Sequence, residues 1–169
     1  SLGVECVSGT ARLISPYEVE VDGKIITTES IVIASGARPF VPPVPGLADI
    51  DYLTSDNVWS LTELPPRLLV VGGGPIGCEL AQAFSHLGSK VTQVDMAARI
   101  MPREDEDVSA AVSARFLEHG IDLLTGHKLL KFETVDGEHF MEAEHEGSTV
   151  RIAFDKVLLA IGRKANTED

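Results

Sequence analysis

The stretch Leu68-Leu69-Val70-Val71-Gly72-Gly73-Gly74-Pro75-Ile76-Gly77-Cys78-Glu79-Leu80-Ala81-Gln82-Ala83-Phe84 decides the fold. Its first four residues form an uninterrupted apolar run, the pattern of a strand buried on both faces of a parallel sheet. Past the glycines, Ile76, Leu80, Ala83, Phe84 and Leu87 recur at the spacing of one helical face. Gly88 stands where a left-handed C-terminal cap is wanted. Val91 and Val94 then mark a second strand that closes at Asp95. The spacing Gly72-x-Gly74-x-x-Gly77 is weak evidence alone, but strong between an apolar strand and an amphipathic helix. Gly72 allows the tight turn, Gly74 lets a pyrophosphate approach the backbone, and Gly77 lets helix and strand pack closely. The run Gly72, Gly73, Gly74, Pro75, Ile76 and Gly77 is therefore the candidate phosphate cradle, with the unpaired N–H groups and positive end of the helix facing the anion.

Asp95 follows Gly77 by eighteen residues, close to the position of a ribose-binding acid. A carboxylate there accepts hydrogen bonds from both ribose hydroxyls and repels a 2′-phosphate, by up to about 4 kcal/mol for close charges at an effective dielectric of 20. No arginine pair follows; the nearest arginine is Arg99. The expected cofactor is NAD(H) in preference to NADP. Glu79, in the first helical turn, is either a favourable partner of the helix dipole or a group near the nicotinamide.

Working outward, the chain from Lys128 to Phe154 alternates, with turns at Asp136-Gly137 and Glu146-Gly147, and reads as a three-stranded meander. Val157 to Ile161 is a last buried strand, stopping at Gly162-Arg163. A helix is expected from about Asp105 to His119, with Val108, Val112 and Phe116 on its buried stripe and a strand at Ile121 to Leu124 behind it. Toward the N-terminus, Val4, Cys6 and Glu18 to Val21 show period two, and Asp22-Gly23 is a hairpin signal. Ile31-Val32-Ile33-Ala34 reads as a short buried strand. Pro42-Pro43-Val44-Pro45-Gly46 reads as an extended, solvated connector and a domain boundary. A short helix from Asp56 to Leu61, capped by Ser55, is expected beyond it.

Composition narrows the function classes. The 169 residues carry 14 Lys and Arg against 26 Asp and Glu, a net charge of −12, which repels nucleic acid. No apolar run is long enough for a spanning helix, and nothing reads as a signal peptide. Two cysteines without metal or redox spacing, Cys6 and Cys78, suit packing and a reducing cytoplasm. The five histidines show no paired ligand spacing, so no metal is expected. The acidic run Glu104 to Asp107 reads as the start of a helix.

Three separated segments share an order and rough spacing: Ile33-Ala34-Ser35-Gly36-Ala37-Arg38-Pro39, Val71 to Leu80, and Leu159-Ala160-Ile161-Gly162-Arg163. On them the chain resembles the central part of the flavin-dependent pyridine nucleotide-disulfide oxidoreductases, dihydrolipoamide dehydrogenase-like and mercuric reductase-like. The resemblance implies an α/β fold. A Rossmann-like NAD-binding domain would carry helices on one face of a parallel sheet and the β-meander on the other, beside partial FAD-domain strands. It divides the chain into part of an FAD-binding domain at 1–45, the NAD(H)-binding domain at 46–161 and a return segment at 162–169.

Several roles follow from the same likeness. Ile76 would lie beside the nicotinamide and Glu79 near the flavin, pairing with a lysine of the FAD domain. Gly162 would contact the nicotinamide end and Leu129 the adenine, while Ser35, Gly36 and Arg163 would face FAD. The implied activity is hydride transfer from NADH to FAD and on to a disulfide or metal acceptor, in a parent that dimerises through a C-terminal domain. The sequence departs from the family by lacking the FAD glycine motif, the C-x-x-x-x-C pair and the later flavin motif, and by having Ala165 where proline is usual. It therefore reads as an excised piece, inactive alone. The alternatives are an NADH-dependent flavin oxidase or reductase without a redox disulfide, a non-enzymatic NAD(H)-sensing module and, more remotely, a methyltransferase.

Overall fold

A computed structural model describes residues 3–168. The chain divides into two compact units, Ser1–Gly36 and Ala37–Asp169. The first holds a three-stranded antiparallel sheet of β1 (Ala11–Ser15), β2 (Glu18–Val21) and β3 (Lys24–Thr27), in that order. Asp22 and Gly23, with φ of 48° and 84°, link β2 to β3. Two positive φ values are what a tight hairpin twisted like its strands requires.

Two expectations for this unit are corrected. Val4 and Cys6 lie in no strand, and Cys6 is exposed rather than packed. Ile31 to Ala34 forms no strand either, and Val32 and Ile33 lie exposed. An apolar run becomes a buried strand only when neighbouring strands pair its backbone. No strand among the described residues pairs with this one.

In chain order the second unit contains β4 (Ala37–Pro39), β5 (Tyr52–Leu53), β6 (Arg67–Val71), α1 (Pro75–Leu87), β7 (Lys90–Val94), α2 (Glu106–Glu118) and β8 (Asp122–Leu124). It continues with β9 (Lys128–Val135), β10 (Glu138–His145), β11 (Ser148–Phe154), β12 (Lys156–Leu159) and β13 (Arg163–Ala165). Five strands form a parallel sheet in the order β5-β12-β6-β7-β8. The three-stranded meander β11-β10-β9 is antiparallel, and both of its turns, Asp136-Gly137 and Glu146-Gly147, have positive φ at each residue.

Alternation along the central strands sorts side chains to two cores. Leu69, Val71, Val94, Val157 and Leu159 meet Phe132, Met141, Ala143 and Phe154 of the meander. Leu68, Val70, Val91 and Leu158 point the other way, onto Cys78 and Ala81 of α1 and Phe116 of α2. Helices on one face and meander on the other is the expected arrangement. Each fully buried Leu, Val or Phe contributes roughly 1.5–3 kcal/mol.

Local details differ from the expected ones. The buried face of α1 centres on Gly77, Cys78 and Ala81, with Leu80 and Phe84 at its margin, while Ala83 and Leu87 are exposed. Small residues occupy that face because the helix lies close against the sheet. On α2, Ser109 and Phe116 are buried and Val108 is exposed. The helix expected at 56–61 is only a 3-10 turn, Val58–Ser60. Asn57 there accepts from the Thr54 N–H at 2.6 Å and donates to the Tyr52 carbonyl at 3.2 Å. Side-chain bonds of this kind compete with helix formation.

The proline connector is not freely solvated. Val44 packs on the core beneath the meander, and the Phe132 N–H donates to the Pro45 carbonyl at 2.9 Å. Further on, β4 and β13 pair with each other, joining segments more than a hundred residues apart.

Candidate dinucleotide site

The site forms at the C-terminal ends of β6 and β7, where ligands gather in open α/β sheets. At Gly72, φ is 117° and a Cβ would lie 2.4 Å from the Ala160 carbonyl oxygen of the next strand's end. At Gly77 a Cβ would lie 2.2 Å from the Gly72 carbonyl oxygen. These two glycines let the protein touch itself. Gly74 differs: a Cβ there would meet nothing within 4 Å. The space beside Gly74 opens outward at the head of α1, where Pro75 occupies the first helical position and lacks an N–H. The first-turn amides of Ile76 and Gly77 have no acceptor within the helix.

Asp95 sits beside the same turn. Its carboxylate accepts from the Gly73 N–H and from the Ala97 N–H at 2.6 Å. Two bonds leave part of its acceptor capacity free, since a carboxylate offers about four lone-pair sites. Arg99 is turned elsewhere: its guanidinium donates to the carbonyls of Met101, Pro102 and Glu104. The same loop is held to the turn by the Met101 N–H, which donates to the Gly73 carbonyl at 2.6 Å.

The structure brings Gly72, Gly73, Gly74, Pro75, Ile76, Gly77 and Asp95 together. Gly162 lies two residues past the Ala160 contact; its φ is 131° and its carbonyl accepts from the Phe40 N–H. Leu129, half-buried on β9, comes two residues after His127, whose N–H donates to the Asp95 carbonyl at 3.0 Å. Glu79 is exposed on α1. Arg163 is engaged within its own unit, donating to the Ser55 hydroxyl, the Asp56 carboxylate and the Ala37 carbonyl. Ser35 and Gly36 belong to the first unit, whereas Arg163 belongs to the second.

Sequence reading missed Gln93 and the loop-bracing role of Arg99. Gln93, on β7, is wholly buried, and its Nε2 donates to the Gly72 carbonyl at 2.8 Å. A glutamine two residues after Val91, at the same parity of β7 as that buried valine, was the available signal. Beside it, Cys78 is buried and its thiol faces the Gly73 carbonyl at 3.5 Å. Burial pushes the thiol pKa up, against the lowering effect of the Gln93 amide, so Cys78 stays protonated and is no nucleophile at neutral pH.

The fold also pairs histidines that spacing did not connect. His86 Nε2 lies 3.1 Å from His119 Nδ1, and His127 stacks on His145 with centroids 4.0 Å apart. Among the described residues, no three His, Cys, Asp or Glu side chains converge as a metal site, and no helix is long and apolar enough to cross a membrane.

A five-stranded parallel sheet with a glycine turn, two helices and an antiparallel meander defines the nucleotide-binding domain of flavoprotein oxidoreductases. The family model for pyridine nucleotide-disulphide oxidoreductases matches residues 1–169, and the chain belongs to that family. It is 39% identical over 166 residues to mercuric reductase of Staphylococcus aureus, covering 98% of this chain and 30% of that protein. It is 36% identical over 174 residues to dihydrolipoyl dehydrogenase of Thermus scotoductus, covering 98% of this chain and 36% of the relative. Among solved structures, the HOCl-induced flavoprotein disulfide reductase RclA of Escherichia coli superposes with a TM-score of 0.77 at 32% identity, over 96% of this chain and 37% of that one. A water-forming NADH oxidase of Lactobacillus brevis bound to NADH matches with a TM-score of 0.71 at 26% identity, over 94% and 38%. The chain thus spans about a third of the length of these relatives.

Proposed function

We propose that the second unit binds NAD(H), with the diphosphate on the amides of Gly74, Ile76 and Gly77 and the adenosine ribose on Asp95. The observation that carries this reading is the contrast among the glycines: Gly72 and Gly77 are closed by the protein's own backbone, and Gly74 is open. A bare, amide-lined helix end in a chain of net charge −12 is a local attraction for an anion.

Preference for NADH over NADPH rests on Asp95 and on Arg99. The aspartate would sit against a 2′-phosphate, and the arginine that could neutralise it is spent on loop carbonyls. The Lactobacillus enzyme supports this reading. Its engineered NADPH oxidase form, solved with NADPH, replaces a glycine, an aspartate eighteen residues later, the two residues after that aspartate, and a proline seven beyond it. Gly77, Asp95 and Pro102 stand at those same intervals here.

In the whole protein the reaction is hydride transfer from NADH to FAD and onward to a disulfide or metal acceptor, as the names of the relatives suggest. The flavin, when bound, takes up the hydride. The residues of this chain hold and orient the dinucleotide, Ile76 and Gly162 at its nicotinamide end and Leu129 at its adenine. Residues 1–45 and 162–169 contribute to the FAD domain, Ser35, Gly36 and Arg163 toward the flavin and Glu79 at the boundary with it. The pairing of β4 with β13, one strand from each of those segments, supports that division. With Cys6 and Cys78 its only thiols, the 169-residue chain binds NADH without oxidising it. Calorimetric titration with NADH and NADPH tests the proposal. NADH is expected to bind at least tenfold more tightly; equal or reversed affinities would contradict the role given to Asp95.

A further inference from the structure

Gln93 is the one described residue with a buried side-chain polar atom lacking any partner: its Oε1 accepts nothing, and the residue is 0% exposed. Leaving such an atom unpaired disfavours the folded state. An apolar side chain of equal length would fill the space without that cost, so packing alone does not account for glutamine here.

The other half of the amide is engaged. Nε2 donates to the Gly72 carbonyl at 2.8 Å and lies 3.6 Å from the Cys78 sulfur. Reversing the amide would set two oxygens against each other, so the orientation is fixed by chemistry. The Gly73 carbonyl in turn accepts from the Met101 N–H and faces the Cys78 thiol. Both carbonyls of the turn are therefore occupied by groups of the protein.

A peptide plane carries its C=O and N–H on opposite sides. Holding the Gly72 carbonyl inward points the Gly73 N–H toward Asp95, which accepts it. Holding the Gly73 carbonyl against Met101 and Cys78 turns the Gly74 N–H to the opposite side of that peptide. One buried amide thus bears on the diphosphate turn and, through Gly73, on the ribose carboxylate.

We infer that Gln93 is a positioning residue for dinucleotide binding, fixing the Gly72–Gly73 peptide so that the turn presents its N–H groups and Asp95 is held in place. This deepens the NAD(H) reading and rests on it. Gln93→Met keeps the length and volume while removing the donor and the orphaned oxygen together.

ADP-ribose isolates the diphosphate and ribose from the nicotinamide end, so its dissociation constant is measured by calorimetry for both proteins, alongside the thermal midpoint of each unliganded. The expected result is a dissociation constant raised about tenfold or more, with a midpoint little changed, because the cost of unpairing the Gly72 carbonyl is offset by removal of the unpaired Oε1. Affinity unchanged within twofold overturns the inference, as does weakened binding that comes with loss of a cooperative thermal transition, which would mark a merely structural role. Gln93→Leu repeats the measurement with a second apolar side chain should the methionine variant not fold. Failure of the unsubstituted chain to bind ADP-ribose would instead remove the dinucleotide reading itself, and this inference with it.

Discussion

Two apolar runs in this chain look alike on paper and behave differently. Leu68 to Val71 lies between β12 and β7 and is almost wholly buried, each side chain assigned by parity to the meander core or the helix core. Ile31 to Ala34 is likewise apolar throughout, with a glycine two residues beyond it, yet it forms no strand, and Val32 and Ile33 are 88% and 71% exposed. Apolar character states what a segment can do; neighbouring strands decide whether it does so. The first run also ends in a site because its strand, the following helix and β7 converge on one backbone turn. The second run has no such neighbours among the described residues.

The largest effect expected from this contrast comes from placing a charge in each run. Val70→Asp buries an unpaired carboxylate between the sheet and α1 and should cost more than 4 kcal/mol, enough to abolish cooperative unfolding in urea. Ile33→Asp should change stability by no more than about 0.5 kcal/mol. Equal losses from the two substitutions would show that the exposed run is packed in solution.

Within the site, the sharper comparison is Gly77→Ala against Gly74→Ala. The first forces a methyl group onto the Gly72 carbonyl, which should cost about 1–3 kcal/mol of stability and weaken NADH binding as well. The second meets open space at an extended φ of −77°, so the fold should keep its stability while NADH affinity drops. Urea denaturation and NADH titration of both variants separate the glycine that packs from the glycine that faces the ligand.

Asp95→Ala should weaken NADH binding by about tenfold, within the usual range for charge-assisted hydrogen bonds, while affecting NADPH less. The ratio of the two affinities, measured side by side, should narrow or reverse. An unchanged ratio would detach Asp95 from cofactor choice.

The smallest effect concerns the base of the sheet. Arg67 donates to Asp155 at 2.7 Å, and this hydrogen bonding holds the Asp155 carboxyl below its ordinary range while keeping the Arg67 guanidinium still more firmly protonated. A depressed carboxylate stabilises the fold above its unfolded pKa of about 3.9, and that contribution is lost as pH falls through the lower folded value. Both side chains are about a third exposed, so solvent limits the gain to about 1 kcal/mol or less. Asp155→Asn should therefore lower the thermal midpoint slightly at pH 7, and the difference should vanish in strong acid.

Much of this architecture was legible in the residues. The β6–turn–α1–β7 unit, the two meander turns and the Asp22-Gly23 hairpin carry local signals that tertiary context reinforced. Partner-dependent features were not legible. The pairing of β4 with β13 joins three-residue strands with no periodicity to detect, and β5 has only two residues. Gln93 and Arg99 act on main-chain carbonyls brought near by the fold, which spacing does not record. In α1 the expected stripe was offset, because close packing against the sheet favours Gly77 and Ala81 over larger neighbours.

The most direct test of the central claim is an amide 1H–15N titration of the chain with NADH. Binding at the head of α1 predicts that the resonances of Gly73, Gly74, Ile76 and Gly77 move first and furthest, in proportion to bound ligand. Saturation with those four resonances unmoved, and the shifts gathered elsewhere on the protein, would contradict it.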